Sequence, residues 1–255
     1  MAAAINDSLD ALEFSVERLT NVASTIEATH FDDSAHPTEW SIADVFSHIG
    51  SGAVIFTRRL EDAVSDREVD PDFNQSVWDE WNAKSPADQV ADGLGADGAM
   101  LAYMRALDDA SRGHVQIHMG PLALNFEAIV SMRLNEHSMH TWDIEVAVNP
   151  AATVPAEIAG LVVDNLQIVT QFSAKPSGEP RTVKVSTHDP ERHFAIEIGP
   201  DSLELVPVAS MTTADLELPA EAFARLVYGR LDPSHTPSGV EGPIIESLRR
   251  MFPGI

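Results

Sequence analysis

The 255-residue chain contains no cysteine, few lysines and no apolar run long enough to span a membrane. The absence of cysteine excludes disulfides, thiolate metal ligands and a cysteine nucleophile, so any thiol chemistry would need a thiol from another molecule. The short apolar runs exclude a transmembrane helix. Because the N-terminus also lacks the basic and apolar segments of a signal peptide, we expect a cytoplasmic protein that does not enter a membrane.

Charge and motifs exclude several further function classes. The chain carries 40 acidic and 16 basic residues, for a net charge of −24. This excess of negative charge repels phosphate backbones, so we expect no binding to nucleic acid or to an anionic membrane. The sequence also lacks a glycine-rich dinucleotide loop, a Walker loop and a Gly-x-Ser-x-Gly elbow, so dinucleotide, nucleotide and serine-hydrolase functions have no support.

The first two thirds of the chain have a helical pattern. Apolar residues recur at steps of three and four, which is typical of amphipathic helices. Ser41, with Asp44 three residues later, resembles a capping box that begins the second helix. A polar crossover fills 66–86, and 115–119 alternates as a short strand or an extended loop does. Helices are predicted over about 5–29, 42–65, 87–110, 123–148 and 155–172.

The last third has the alternating pattern of strands. A linker-like composition at 174–180 precedes the change of period. Short alternating segments then predict a small antiparallel sheet, and two helices follow. We therefore expect two domains: a mainly α bundle at 1–175 and an α+β domain at 176–255. The predicted strands lie near 183–185, 194–198, 203–205 and 215–218, and the helices near 219–228 and 243–251.

A possible metal site lies in the fourth predicted helix. Glu136 and His140 are four residues apart, so a helix places a carboxylate and an imidazole on one face. That pair suits a divalent transition metal. His48, beside the apolar stripe of the second helix, is the candidate third ligand, and Gly52 one turn later is expected to clear space beside its ring. Three such ligands would leave coordination positions open, which is typical of a catalytic site.

Other interpretations of these residues remain open at this point. Arg133 lies one turn before Glu136 and offers a salt bridge instead of a metal. His48 could be a hydrogen-bonded core histidine, and Asp143 could support His140, contact a substrate or form an ordinary ion pair in the bundle. Competing histidine pairs are 137/140 and 114/118, while loop histidines such as His36 are expected to be solvated.

Several motifs resemble one known family. They include the segment 40–50, with Trp40, Ser41 and His48; the dipeptide Gly120-Pro121; and the segment 136–143, with its Glu-x-x-x-His-x-Trp-Asp pattern. In the C-terminal part, 214–223 and Tyr228-Gly229-Arg230 continue the likeness. Together they resemble the mycothiol-dependent maleylpyruvate isomerase family of the DinB-like superfamily. The resemblance implies a DinB-like four-helix-type bundle joined to a domain similar to sterol carrier protein.

The resemblance also implies an activity. His48, Glu136 and His140 would bind a divalent metal, usually zinc, which would activate an external low-molecular-weight thiol, typically mycothiol. The thiolate would add to a conjugated double bond of a small organic substrate, allow rotation and then leave. An acidic substrate would be reached by a C-terminal arginine, Arg230 first and Arg225 in reserve.

Two other function classes are compatible with the same residues. The site could instead hydrolyse a substrate with metal-bound water. The bundle could also be a metal-stabilised scaffold without catalysis, with a lipid-binding C-terminal domain. Asp143 is a further candidate for a catalytic group, and the metal itself could be zinc, iron, nickel or manganese.

Overall fold

The computed structural model describes residues 2–36, 39–119, 122–176 and 179–254. The chain divides into two compact units, Met1–Asn149 and Pro150–Ile255, which we call the first and the second unit. Two features named from the sequence fall partly or wholly outside the described residues: Gly120-Pro121 of the family motif, and Ser177-Gly178 of the linker.

The described part of the first unit is a bundle of long helices with two shorter ones. Apolar side chains from the long helices, among them Leu19, Phe46, Val90 and Ile144, form a shared core. The predicted capping box is confirmed. The Ser41 side chain accepts a hydrogen bond from the backbone N–H of Asp44, and the Asp44 carboxylate accepts one from the backbone N–H of Ser41. The helices are α1 (Ala2–Thr25), α2 (Ile42–Val64), α3 (Phe73–Asn82), α4 (Pro86–Ala106), α5 (Asp109–His114) and α6 (Phe126–Val148).

Glycines let α2 and α4 approach closely. A Cβ at Gly93 would lie 2.8 Å from the carbonyl oxygen of Phe46, and a Cβ at Gly50 would lie 2.7 Å from the Cα of Gly93. These glycines lower helix propensity by about 1 kcal/mol each relative to alanine. Their lack of a side chain permits the helix contact that makes α4 part of the bundle.

A hairpin precedes α6. Strands β1 (Gln116–Met119) and β2 (Leu122–Asn125) pair antiparallel. The strand predicted at 115–119 is therefore present, but the prediction that the next helix begins near 123 is wrong by about three residues. Asn125 caps α6 instead, because its side-chain oxygen accepts from the backbone N–H of Ala128. The predicted helix over 87–110 likewise ends at Ala106, and α5 follows separately.

The second unit combines helices with a four-stranded sheet. Its strands alternate buried and exposed residues, as their sequence pattern predicts. The sheet order is β5-β4-β3-β6, antiparallel except for the pairing of β6 with β3, which is parallel. The elements are α7 (Ala156–Asp164), α8 (Leu166–Ser173), β3 (Arg181–His188), β4 (Arg192–Ile198), β5 (Leu203–Pro207), β6 (Leu216–Pro219), α9 (Ala220–Val227) and α10 (Pro243–Met251).

The division between the units follows Asn149 rather than residue 175. The helix predicted over 155–172 is interrupted at Asn165 to give α7 and α8, which pack against α9 and β5 of the second unit. The linker composition at 174–180 marks the change from helices to strands. This segment does not mark the end of the first unit. The boundary lies earlier, because the apolar faces of α7 and α8 pack within the second unit.

The described helices also bear on the membrane prediction. Across the described ranges, no helix has both the length and the apolar character needed to cross a bilayer.

Candidate metal centre

His48, Glu136 and His140 come together between α2 and α6. The Nε2 atoms of His48 and His140 lie 3.7 and 3.6 Å from the Oε2 atom of Glu136, and the two rings are 4.5 Å apart between centroids. One ligand atom from each residue lies within 4.8 Å of the other two. The helical pair predicted from spacing is therefore joined by the histidine predicted on the second helix.

The distances fit a shared cation better than direct hydrogen bonds. Separations of 3.6 and 3.7 Å exceed the roughly 2.7–3.2 Å of an N–H···O bond. Two ligand atoms that each lie about 2.0–2.1 Å from a tetrahedral zinc are about 3.4 Å apart. Two imidazole nitrogens and one carboxylate oxygen at this spacing thus match the donor set and the size of a three-ligand divalent-metal site.

The site is open on one side. The side chain of His140 is 9 % exposed, that of Glu136 is 31 % exposed and that of His48 is 41 % exposed. Access is therefore greatest beside His48, on α2.

The site stabilises the charge states that a metal needs. Burial alone would raise the pKa of Glu136, but the imidazoles of His140 and His48 outweigh it and hold that pKa well below its usual range. Burial lowers the pKa of His48, with Glu136 opposing this and His140 adding to it. At neutral pH the carboxylate is therefore ionised and the His48 ring is neutral, so one of its two nitrogens carries a lone pair.

Asp143 fixes the orientation of His140. The Nδ1 of His140 donates to the Asp143 carboxylate at 2.9 Å and its Nε2 faces Glu136, so in the neutral ring it is Nε2 that carries the lone pair. Asp143 is fully buried. Among the roles considered from the sequence, this contact favours support of a ligand, the usual function of a carboxylate behind a metal-binding histidine.

Two residues beside the site were not identified from the sequence as part of it. Trp40 stacks on His140 with centroids 6.0 Å apart and lies 5.1 Å from His48, so it forms one wall. His36, expected to be solvated, instead packs edge-on against Trp142 and has its Nδ1 3.7 Å from Asp143. A tryptophan just before an N-cap was the available signal for Trp40, whereas loop sequence gave none for His36.

Arg133 does not pair with Glu136, and Gly52 does not clear space for His48. The Nη2 of Arg133 donates to the Asp97 carboxylate at 3.0 Å and to the carbonyl of Ile49 at 2.8 Å. A Cβ at Gly52 would lie 3.0 Å from the Nη1 of Arg133, so the glycine accommodates the guanidinium. The salt-bridge alternative for Glu136 is thus wrong, since its proposed cation is bound elsewhere.

The competing histidine pairs do not form sites. His137 is fully buried and its Nε2 lies 2.5 Å from Asp97 rather than toward His140. His114 ends α5 and contacts Asp66 at 3.0 Å, while His118 lies exposed on β1.

The predicted arginines lie in the second unit. Arg225 is buried; its Nε and Nη2 donate to Glu221 at 2.8 Å, and its Nη1 donates to the carbonyl of His235. Arg230 is also buried, and its Nη1 donates to the carbonyl of Tyr228. Their contact with a substrate remains a prediction.

Comparison with known proteins gives a consistent result. Residues 12–145, which include His48, Glu136 and His140, match the family described as the mycothiol maleylpyruvate isomerase N-terminal domain. The crystal structure of a mycothiol-dependent maleylpyruvate isomerase aligns with a TM-score of 0.68 at 14 % identity, covering 94 % of this chain and 95 % of that chain. The crystal structure of a histidine-to-alanine mutant of the mycothiol-dependent maleylpyruvate isomerase aligns with a TM-score of 0.67, at the same identity and coverage. No curated protein matches the chain significantly.

Proposed function

Because the chain belongs to the family of the mycothiol maleylpyruvate isomerase N-terminal domain, we propose that it is a metal-dependent enzyme that uses an external low-molecular-weight thiol. Mycothiol is the first candidate thiol, and the reaction is isomerisation or S-transfer on a small organic substrate. The observation that carries this proposal is the convergence of His48, Glu136 and His140 at metal-binding distances.

A thiol from outside the chain is consistent with the composition. The protein has no cysteine of its own. A divalent metal, when bound, would lower the pKa of a coordinated thiol and favour its nucleophilic thiolate form. Zinc is the metal we propose, because two imidazoles and one carboxylate with an open position form a common catalytic zinc site.

The chain's own residues prepare the site for that chemistry. Glu136 supplies a carboxylate that stays ionised, and His48 supplies a neutral imidazole on the exposed side. Asp143 acts as a positioning residue, because its bond to His140 Nδ1 fixes which ring nitrogen faces the centre. Trp40 lies beside both histidine rings and forms one wall of the site.

Omitting the thiol tests the proposed reaction. With zinc-loaded protein and maleylpyruvate as the trial substrate, we expect turnover with mycothiol and none above the uncatalysed rate without a thiol. Chromatography that separates substrate from isomer provides the readout. Equal turnover with and without thiol would contradict the thiol-dependent function and favour a hydrolytic or other metal reaction on the same residues.

We also propose that the second unit is similar to sterol carrier protein. Within that unit, we propose that Arg230 binds the acidic group of the substrate. Arg225 is less suited, because all three of its guanidinium nitrogens donate inside its own unit. Arg230→Met is expected to raise KM about tenfold or more and to leave zinc stoichiometry unchanged, since a hydrogen bond to a charged group typically contributes about 1.5–3 kcal/mol.

Steady-state kinetics of Arg230→Met with an acidic substrate and with its methyl ester distinguish loss of carboxylate binding from a general loss of folded, active enzyme. We expect the variant to lose its preference for the acid over the ester. A KM that is unchanged for the acid would rule out this role. Arg225→Met provides the comparison, because it should lower the free energy of unfolding by leaving Glu221 buried without its partner.

A further inference from the structure

A buried charged cluster lies behind the metal centre and has no part in the proposed chemistry. It consists of Asp97 on α4, Arg133 and His137 on α6, and Ser15 on α1, each at most 2 % exposed. Burying charges costs several kcal/mol per ion unless they are paired and hydrogen-bonded. A cluster of this kind therefore needs either a structural or a functional account.

Arg133 connects the backbone of α2 to the interior of the bundle. Its Nη2 donates both to Asp97 on α4 and to the carbonyl of Ile49, the residue that follows His48. Gly52 makes this approach possible, because a Cβ there would lie 3.0 Å from Nη1. The guanidinium thus fixes the distance of α2 from α6 within one residue of a metal-site histidine.

Asp97 holds two successive turns of α6. One carboxylate oxygen accepts from Arg133, and the other lies 2.5 Å from the Nε2 of His137, which directly follows Glu136. Ser15 lies 2.7 Å from the opposite nitrogen of His137, so both ring nitrogens have a polar partner. Holding residues 133 and 137 together restricts rotation of α6 about its axis.

The metal-site residues depend on this arrangement unequally. Glu136 and His140 share α6, so the helix itself sets their separation. His48 comes from α2, so its distance from Glu136 depends on how the two helices are held together. Asp143 orients the ring of His140, which lies on the same helix.

We propose that Asp97 and Arg133, with Gly52 as the space that admits the guanidinium, are positioning residues that set His48 against Glu136 and His140. The proposal rests on the metal centre of the proposed function. It assigns the cluster a role in metal affinity and geometry in addition to stability.

Cobalt(II) titration of metal-free protein tests the role, since visible d–d bands report the coordination geometry. Arg133→Met is expected to weaken Co²⁺ binding about tenfold or more, as loss of a supporting residue does at other metal sites, and to change the bands. Arg133→Lys should restore only part of the affinity, because an ammonium group lacks the guanidinium fork that reaches both acceptors. Arg18→Met is the matched control: it removes the pairing of Arg18 with Glu145 between α1 and α6 and should leave the Co²⁺ Kd and bands unchanged.

Gly52→Ala separates positioning from folding. Alanine favours a helix more than glycine does, yet its Cβ displaces the guanidinium. We expect weaker Co²⁺ binding, by several-fold, from a variant whose urea midpoint for unfolding is not lowered. This variant keeps the test decisive if Arg133→Met does not fold.

The outcomes distinguish the two proposals. If the wild type binds Co²⁺ and the Gly52 and Arg133 variants match its Kd and spectrum, the positioning role is wrong and the metal centre remains. If Arg18→Met weakens Co²⁺ binding as much as Arg133→Met does, general destabilisation explains the effect and the positioning role is overturned. If the wild type binds no divalent metal, the metal centre fails and the positioning role fails with it.

Discussion

Replacing His140 with alanine is expected to abolish stoichiometric metal binding, and the proposed thiol-dependent activity with it. His140 is the most buried of the three metal-site residues, and its ring is already oriented by Asp143. Loss of a supporting residue alone typically weakens metal binding 10–100-fold, so loss of a ligand should exceed about 100-fold. Glu136→Gln should act in the same direction, because it keeps the shape of the side chain but removes the anion.

Metal content of the purified proteins, measured by plasma mass spectrometry after dialysis, checks this result. His118→Ala is the control, because this histidine lies exposed on β1. We expect about one metal per chain in the wild type and the control, and almost none in His140→Ala. A wild type without metal, or a His140 variant with full stoichiometry, would show that the three residues do not form the centre.

The second large effect is expected from Asp97→Asn, which should lower the free energy of unfolding of the first unit by about 3–5 kcal/mol. The substitution keeps the size of the side chain but leaves the charge of Arg133 buried without a counter-ion. Asp92→Asn on the same helix is the control. Asp92 pairs with Lys84 at the surface, and pairs of that kind contribute at most about 1 kcal/mol.

Urea unfolding followed by tryptophan fluorescence provides the measurement. All four tryptophans lie in the first unit, so their fluorescence reports on that unit alone. If Asp97→Asn lowers the free energy of unfolding no more than Asp92→Asn does, the stabilising role assigned to the buried Asp97–Arg133 pair is contradicted.

The pH dependence supplies a second check on Asp97. Burial would raise its pKa, but His137 and Arg133 outweigh burial and lower it to about 2. A pKa that is lower in the folded than in the unfolded protein stabilises the fold above the unfolded value, and this contribution is lost as pH falls through the folded value. The wild type should therefore lose stability between about pH 4 and pH 2, and this part of the loss should be absent from Asp97→Asn.

Local sequence patterns predicted most of the secondary structure but not its limits. Apolar periodicity identified the long helices, alternation identified the strands of the sheet, and Ser41 with Asp44 identified the start of α2. The second strand of the hairpin before α6 and the interruption at Asn165 were missed. In both places the chain changes direction to satisfy packing partners that are distant in sequence, and a local pattern does not contain them.

The site was predictable to the extent that its residues share a helix. Four-residue spacing placed Glu136 and His140 on one face, and family-like motifs added His48. Trp40 and His36 were missed because loop residues reach the site only through the path of the chain in three dimensions. Gly52 was assigned to the wrong neighbour, since the sequence does not specify which side chain fills the space beside a glycine.

The sequence by itself determined that this protein has no thiol of its own, that its first part is helical and that one helix presents a carboxylate and an imidazole together. These properties depend on composition and on the fixed geometry of a helix. Only the tertiary structure decided that Arg133 pairs with Asp97 and leaves Glu136 to the two histidines. Contacts between helices depend on how their side chains fill a shared interior, and spacing along one chain segment carries no information about the partner across it.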